Sequence, residues 1–405
     1  MNGEVDQDLA ASSVAERNAT AKKSAIKFIL LLGVVSLFAD ATYEGARSIA
    51  GPYLSLLGAS ATVVGFVAGF GEVAGYGLRF LSGYLSDRLH RYWTITFIGY
   101  AINLLAVPAL ALTHNWHAAA ALLIMERVGR AIRTPARDAM LSHAASETGR
   151  GWGFGVHEAM DQIGATFGPL VVALALYLGN DYRFSFLLLL APALLSLATL
   201  AVARALYPRP QDLESVSVRL ETKGFDRRFW IYLLAFALVA IGYADFSLIA
   251  YHLGRAKVAS AGSIPLLYAV AMGIDALAAL ALGRLFDRIG FPVLVASVLL
   301  AALFAPLAFY GGFGWAAVGV GMWGLGMGAQ ESLMRAAIAD MVPPARRGSA
   351  YGVFDAGYGF AWFAGSLLLG YLYDRSIFLL VVISVIAQLL AIPLIIIALG
   401  GRKSG

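Results

Sequence analysis

Two stretches decide how this chain folds: Gly83-Tyr-Leu-Ser-Asp87-Arg88-Leu and Gly283-Arg-Leu-Phe-Asp287-Arg288-Ile. Both read Gly-x-x-x-Asp-Arg, and each closes an apolar run. A second pair sits in the same relation. Arg150-Gly-Trp-Gly-Phe-Gly155 is echoed by Arg347-Gly-Ser-Ala-Tyr-Gly352. The chain is therefore a repeat of two halves, a construction common among membrane carriers whose site lies at the repeat interface.

Working outward, the apolar runs are long and continuous, not alternating with period two, so they read as helices and not as barrel strands. About 20 apolar residues cross a bilayer. Twelve such runs can be laid out, at roughly 26–56, 61–85, 92–113, 117–140, 152–178, 184–206, 228–252, 263–285, 291–312, 314–338, 349–373 and 376–399. The expected fold is all-α and integral to the membrane, with twelve spans in two pseudo-symmetric six-helix bundles. The expected organisation is an unstructured cytoplasmic tail (1–24), an N-terminal bundle (25–206), a polar cytoplasmic linker (207–227), a C-terminal bundle (228–400) and a short cytoplasmic tail (401–405).

Composition agrees. Of 405 residues 60% are hydrophobic and 14% charged, and the mean hydropathy is +0.74. These values exclude a soluble globular enzyme. Cysteine is absent, which excludes disulfide frameworks, thiolate metal sites and thiol nucleophiles. No phosphate-binding Gly-x-x-x-x-Gly-Lys loop or hydrolase motif is present, so neither ATP-driven pumping nor enzymatic catalysis is expected, and no cofactor is called for. The net charge of +5 does not mark a nucleic-acid binder. Arg47, Arg183, Arg255, Lys257 and Arg375 lie toward one side of the twelve spans, and the other basic residues cluster toward the opposite side. The positive-inside rule then places both termini in the cytoplasm of a bacterial-type inner membrane.

Charges inside spans are costly and need a reason. Spans 3, 6, 9 and 12 have no ionisable residue in their interiors. The simplest packing sets those four against lipid and lets the other eight surround a wet cavity. Asp40 and Glu44 share a face of span 1, and His157, Glu158 and Asp161 lie in span 5. With Asp275 and Asp355 they are the expected substrate and proton-coupling residues. Arg47 near Glu44 reads as a side chain that snorkels outward, and Glu126 with Arg130 as a helix-surface ion pair. Gly65-x-x-x-Gly69 and Gly164-x-x-x-Gly168 read as close-packing faces.

The twelve-span, six-plus-six arrangement resembles the major facilitator superfamily over nearly the whole chain. Its loop motif matches Gly83–Arg88 and again Gly283–Arg288. Its span-5 antiporter motif matches Gly155, Gly164, Gly168 and Pro169, without the closing Gly-Gly. The resemblance implies alternating access, gating by Asp87, Arg88, Asp287 and Arg288, and packing of the glycine face of span 5 against span 8. Arg130-Ala-Ile-Arg133-Thr-Pro-Ala-Arg137-Asp138 and Phe154-Gly-Val-His157 through Asp161 are similar to a bacterial efflux subgroup that includes nickel and iron exporters. Two cargo readings stay open: a divalent metal cation held by Asp40, Glu44, His157 and Asp161, exported against protons, and an organic cation held by carboxylates and aromatic residues. An uncoupled channel or transporter-like sensor is the alternative from another class. The expected partners are a small solute or cation, protons and the lipid bilayer, with the chain acting as a monomer.

Overall fold

The computed structural model describes residues 2–89, 91–148, 150–208, 224–343 and 346–399. Among the described residues the regular structure is helical, in twelve segments. We number them α1 (Asn2–Leu56), α2 (Ala61–Leu89), α3 (Tyr92–Leu112), α4 (Trp116–Thr148), α5 (Arg150–Tyr177), α6 (Tyr182–Leu206), α7 (Arg227–Arg255), α8 (Ser263–Ile289), α9 (Pro292–Tyr310), α10 (Phe313–Met341), α11 (Arg347–Arg375) and α12 (Ile377–Leu399). Eight are long and apolar enough to cross a membrane by composition. The other four, α2, α4, α10 and α11, all contribute residues to the wall of a central cavity.

The segment expected as an unstructured tail is helical. α1 begins at Asn2 and runs without a break into the first span. The stretch Leu9-Ala-Ala through Ala19 is free of proline and glycine and rich in alanine, so backbone propensity favours helix despite its polarity. Helix ends elsewhere follow local chemistry. α1 closes on Gly58, whose positive φ of 88° lets the Ala59 N–H reach the Leu54 carbonyl at 2.9 Å, a turn that glycine makes without strain. α7 breaks at Tyr243–Asp245 and restarts where the Asp245 carboxylate accepts the Ser247 N–H at 2.8 Å, an N-cap inside the membrane.

The two halves pack alike. In the N-terminal half α1 packs against α5 and α6, and α4 against α2 and α3. In the C-terminal half α7 packs against α11 and α12, and α10 against α8 and α9. Each pairing in one half has its counterpart in the other. Between halves α2 meets α11, α5 meets α8, and α1 meets the second part of α7. The first two contacts are also symmetry counterparts, so the halves face each other around a pseudo-two-fold axis.

The halves touch closely at one end. Backbones approach where α1 and α7 cross, since a Cβ on Gly51 would lie 1.9 Å from the Ser247 carbonyl oxygen. They approach again where α2 crosses α11, since a Cβ on Gly65 would lie 2.1 Å from the Ser366 carbonyl oxygen. The packing role read for Gly65 and Gly69 is thus the one they have. At the same end Tyr251 donates to the Ala59 carbonyl at 3.2 Å. Asp374 accepts from Thr62 N and Oγ1 at 2.8 and 2.6 Å and from Ala61 N at 3.1 Å. We call this the closed face. Between the halves lies a cavity of about 1090 Å³.

Candidate functional site

The cavity draws its wall from α1, α2, α4 and α5 in one half and α8, α10 and α11 in the other. None of it comes from α3, α6, α9 or α12, as the distribution of charge required. α7, the eighth charged span, contributes to the closed face instead.

The polar face of α1 carries Ser36, Asp40, Tyr43, Glu44 and Arg47, all within one helical stripe. α4 lays Arg130, Arg133 and Arg137 against that stripe. Arg137 donates to Ser36 Oγ at 3.1 Å. The Arg133 guanidinium stacks at 4.3 Å over Tyr100 and donates to its hydroxyl at 2.9 Å, fully buried. The Arg130 guanidinium lies 4.4 Å over the Tyr43 ring. The Tyr43 hydroxyl in turn donates to Asp40 Oδ1. Asp40 therefore orients Tyr43, and Tyr43 supports Arg130.

Glu44 joins three elements. Its Oε2 accepts from the Tyr268 hydroxyl of α8, across the halves, and its Oε1 lies 3.7 Å from Arg47 Nη1 and 3.8 Å from Arg130 Nη1. Arg47 does not snorkel. It is half-buried at the edge of the cavity and donates from Nη2 to the buried Asp245 Oδ2 of α7 at 2.8 Å. This cross-half pair gives the guanidinium a counter-charge that water would otherwise have to supply. Glu126 is not held by Arg130. It accepts from Asn103 at 2.8 Å and pairs with Arg127 at 3.2 Å, and Arg127 also holds Glu72 at 2.8 Å.

On α5, His157 is buried between Ser36 Oγ, 3.3 Å from Nε2, and Asp161 Oδ1, 3.1 Å from Nδ1. Glu158, the next residue, is exposed on the cavity wall. The glycine face of α5 meets α1, not α8 as the resemblance implied. A Cβ on Gly164 would lie 2.2 Å from the Leu37 carbonyl oxygen, and one on Gly168 2.0 Å from that of Ala41. His157, Asp161, Gly164 and Gly168 share that face, so the stripe that packs α5 on α1 also carries the polar pair. Gly155 has open space around it and lines the cavity. Pro169 lies inside α5, and the helix continues through it to Tyr177.

In the C-terminal half Asp275 is buried, and its Oδ1 has no hydrogen-bond partner. Asp355 and Glu331 line the cavity. Asp287 and Arg288 are exposed. The side chains of Asp87 and Arg88 lie outside the described residues, as do linker residues 209–223 and the tail 401–405.

The four ligands expected for a metal are not gathered. Asp40 is taken up by Tyr43, Glu44 by Tyr268, and only His157 and Asp161 touch. Among the described residues no three His, Asp or Glu side chains come together in a group that could hold a metal ion. The spacing placed each pair on one helix face correctly. It could not show that α4 would bring arginines against the same face.

The model of the Major Facilitator Superfamily matches residues 30–366 and, in a second match, 232–403. The chain belongs to this superfamily. An uncharacterised protein of Mycobacterium tuberculosis is 44% identical over 376 residues, covering 91% of this chain and 92% of the relative. An uncharacterised MFS-type transporter of Methanocaldococcus jannaschii is 28% identical over 227 residues, 56% of each chain. Among solved structures, the nucleoside transporter NupG superposes with a TM-score of 0.74 at 16% identity, covering 93% of this chain and all of that one. A POT-family peptide transporter superposes with a TM-score of 0.72 at 14% identity, covering 92% and 94%. At such identities these structures share the fold alone. The superfamily member is a multi-pass membrane transporter of a small solute, not an enzyme.

Proposed function

We propose that this transporter works by alternating access, coupled to protons, and moves an organic solute through the central cavity. The observation that carries the reading is the one-sided closure. The halves interlock at the closed face through Arg47–Asp245, Tyr268–Glu44 and Asp374–Thr62, and a large cavity with charged walls lies between them. Symmetry between halves supplies the second state, in which equivalent helices exchange contacts.

Carboxyl groups inside the membrane suit proton coupling. Asp161 with His157, and Asp275, whose Oδ1 is buried without a hydrogen-bond partner, are the groups we assign to it. Export by antiport follows from the partial span-5 motif, and cytoplasmic termini from the distribution of Lys and Arg. A bacterial inner membrane is consistent with the mycobacterial relative. Of the two cargo readings, the organic one is better supported. The cavity is far larger than a metal ion needs, and the four proposed metal ligands do not converge on one point. Gating by Asp87, Arg88, Asp287 and Arg288 remains our assignment for the face opposite the closed one.

The test is proton flux in proteoliposomes holding a pH-sensitive dye. Added pools of organic metabolites should change internal pH, and added divalent metal chlorides should not. Steady leakage of protons without solute would point to a channel, and silence under every addition to a sensor.

A further inference from the structure

Charge in the cavity wall is distributed in a way that describes its cargo. Two of the arginines there are already neutralised at short range, Arg47 by Asp245 and Arg127 by Glu72, each at 2.8 Å. Arg79, Glu331 and Asp355 have partners of their own. Two opposite charges remain weakly engaged. Arg130 on α4 reaches a carboxylate only at 3.8 Å, and that carboxylate has a much nearer partner in Tyr268. Its side chain is 29% exposed, against 12% and 13% for Arg47 and Arg127. Glu158 on α5 is exposed and has no hydrogen bond or ion pair among the described residues. Both line the same cavity.

Facing them from the C-terminal half, α11 presents Phe354, Tyr358 and Trp362 at intervals of one turn. The Phe354 and Tyr358 rings stack at 6.2 Å and 13°, and those of Tyr358 and Trp362 lie 5.8 Å apart. The Trp362 indole N–H is without a hydrogen-bond partner. All three rings are largely buried against the C-terminal half, and the parts that reach the cavity wall give it an apolar side against which an apolar or aromatic body can pack.

We infer that the cargo is a small zwitterion with an apolar or aromatic body: its anionic group lies on Arg130, its cationic group on Glu158, and its body against the α11 rings. The inference rests on reading the cavity as a transport site. A guanidinium held flat by Tyr43 is pre-set for the two oxygens of a carboxylate or phosphate, and its planar fork makes such contacts bidentate. A cation alone would meet Arg130, and an anion alone would meet Glu158. A zwitterion satisfies both and brings no net charge into a low-dielectric site, where an unmatched charge is costly. Its two charges also explain why neither wall residue is consumed by a protein partner.

Four compounds of one shape separate the terms: L-phenylalanine, the cationic L-phenylalaninamide, the anionic 3-phenylpropionate and the neutral 3-phenylpropionamide. Their affinities would be measured by calorimetry on the full chain in lipid nanodiscs, at about pH 6 so that the amines are protonated. Phenylalanine should bind at least about tenfold more tightly than either singly charged analogue, the scale of one charge-assisted contact. Arg130→Gln should erase the gap between phenylalanine and its amide, with part of it kept in Arg130→Lys. Glu158→Gln should erase the gap between phenylalanine and 3-phenylpropionate. Equal binding of all four, tighter binding of either singly charged analogue, or no binding of phenylalanine would overturn the assignment. A variant that loses folding is recognised by its unfolding midpoint, and the other variant then carries the test. The carrier reading is checked separately, through opening of the closed face in Asp245→Asn described below. That measurement involves no cargo, so the zwitterion can fail while alternating access stands.

Discussion

Asp245→Asn should throw the closed face open. Arg47 and Asp245 meet across the halves at 2.8 Å, with side chains 12% and 2% exposed. Removing one partner of a buried pair costs about 3–5 kcal/mol, because the other charge stays buried alone. Arg47 retains a weaker contact with Glu44 at 3.7 Å, so the low end, about 3 kcal/mol, is the appropriate figure. The penalty applies only while the halves are shut. Once they part, water reaches Arg47 and its missing partner costs little. A cost borne by one state alone shifts the equilibrium by that amount, here about a hundredfold toward opening. The asparagine still accepts the Ser247 N–H, so the second part of α7 keeps its cap.

The readout is a distance distribution between spin labels at Leu56→Cys and Ala256→Cys, exposed positions at the ends of α1 and α7. The chain has no cysteine of its own to interfere. Asp245→Asn should move most molecules to a longer distance. Arg47→Gln combined with Asp245→Asn removes both charges, leaves no lone guanidinium, and should recover much of the short distance. A single variant indistinguishable from the parent would refute the latch. So would a double variant as open as the single one, since the cost would then not come from a stranded charge.

Three further outcomes follow from the geometry. Asp374→Ala should open the same face partially, by about 0.5–2 kcal/mol, the value of a helix N-cap. Burial raises the Asp374 carboxyl, but donation from Thr62 and Ala61 outweighs it and holds the group below its ordinary value. The contribution is therefore complete above about pH 4 and lost only as pH falls further, so label distances across this clip should not change between about pH 5 and pH 8. Gly168→Val should prevent α5 from seating on α1, because a Cβ there meets the Ala41 carbonyl oxygen at 2.0 Å, whereas Gly155→Ala enters open space. Size-exclusion profiles after detergent extraction should show aggregation for the first and a parent-like peak for the second. Asp161→Asn should abolish solute-driven proton flux in proteoliposomes while inserting normally, and flux at the parent rate would remove Asp161 from the coupling path.

Much of the architecture was legible in one dimension because its causes are local or repetitive. The apolar runs are set by bilayer thickness, and the repeated Gly-x-x-x-Asp-Arg and Arg-Gly-x-x-x-Gly fragments exposed the two halves. The cost of charge in hydrocarbon singled out α3, α6, α9 and α12, and the cavity wall avoids all four. The polar tail misled because hydropathy reports on the membrane, while backbone propensity decides whether 2–24 is helical.

The site was legible by residue but not by partner. Of the expected solute residues, Glu158 and Asp355 line the cavity, whereas Arg47, read as pointing outward, and Arg130, read as half of a surface ion pair, line it as well. Which group answers which depends on how α4 rotates against α1, and no spacing in either helix states that rotation. Reading Asp40, Glu44, His157 and Asp161 as a ligand set treated the carboxylates as vacant. The stripe Arg130, Arg133 and Arg137, at intervals of three and four, already marked one arginine face on α4. Set against α1, that face turns the acids from metal ligands into supports for guanidinium groups.

The pair hardest to foresee is Arg47 with Asp245, 198 positions apart in sequence. It joins the two halves at the face where they are shut, and on the alternating-access reading proposed above it belongs to one conformational state and not to the fold as such. A residue whose partner exists in only half of a cycle must be tolerable without it in the other half. Both ends of this pair meet that condition. Arg47 has Glu44 as a second contact, and Asp245 has the Ser247 N–H. A contact built for permanence would need neither reserve. That each side carries one fits the proposed cycle, in which the pair is a latch that opens.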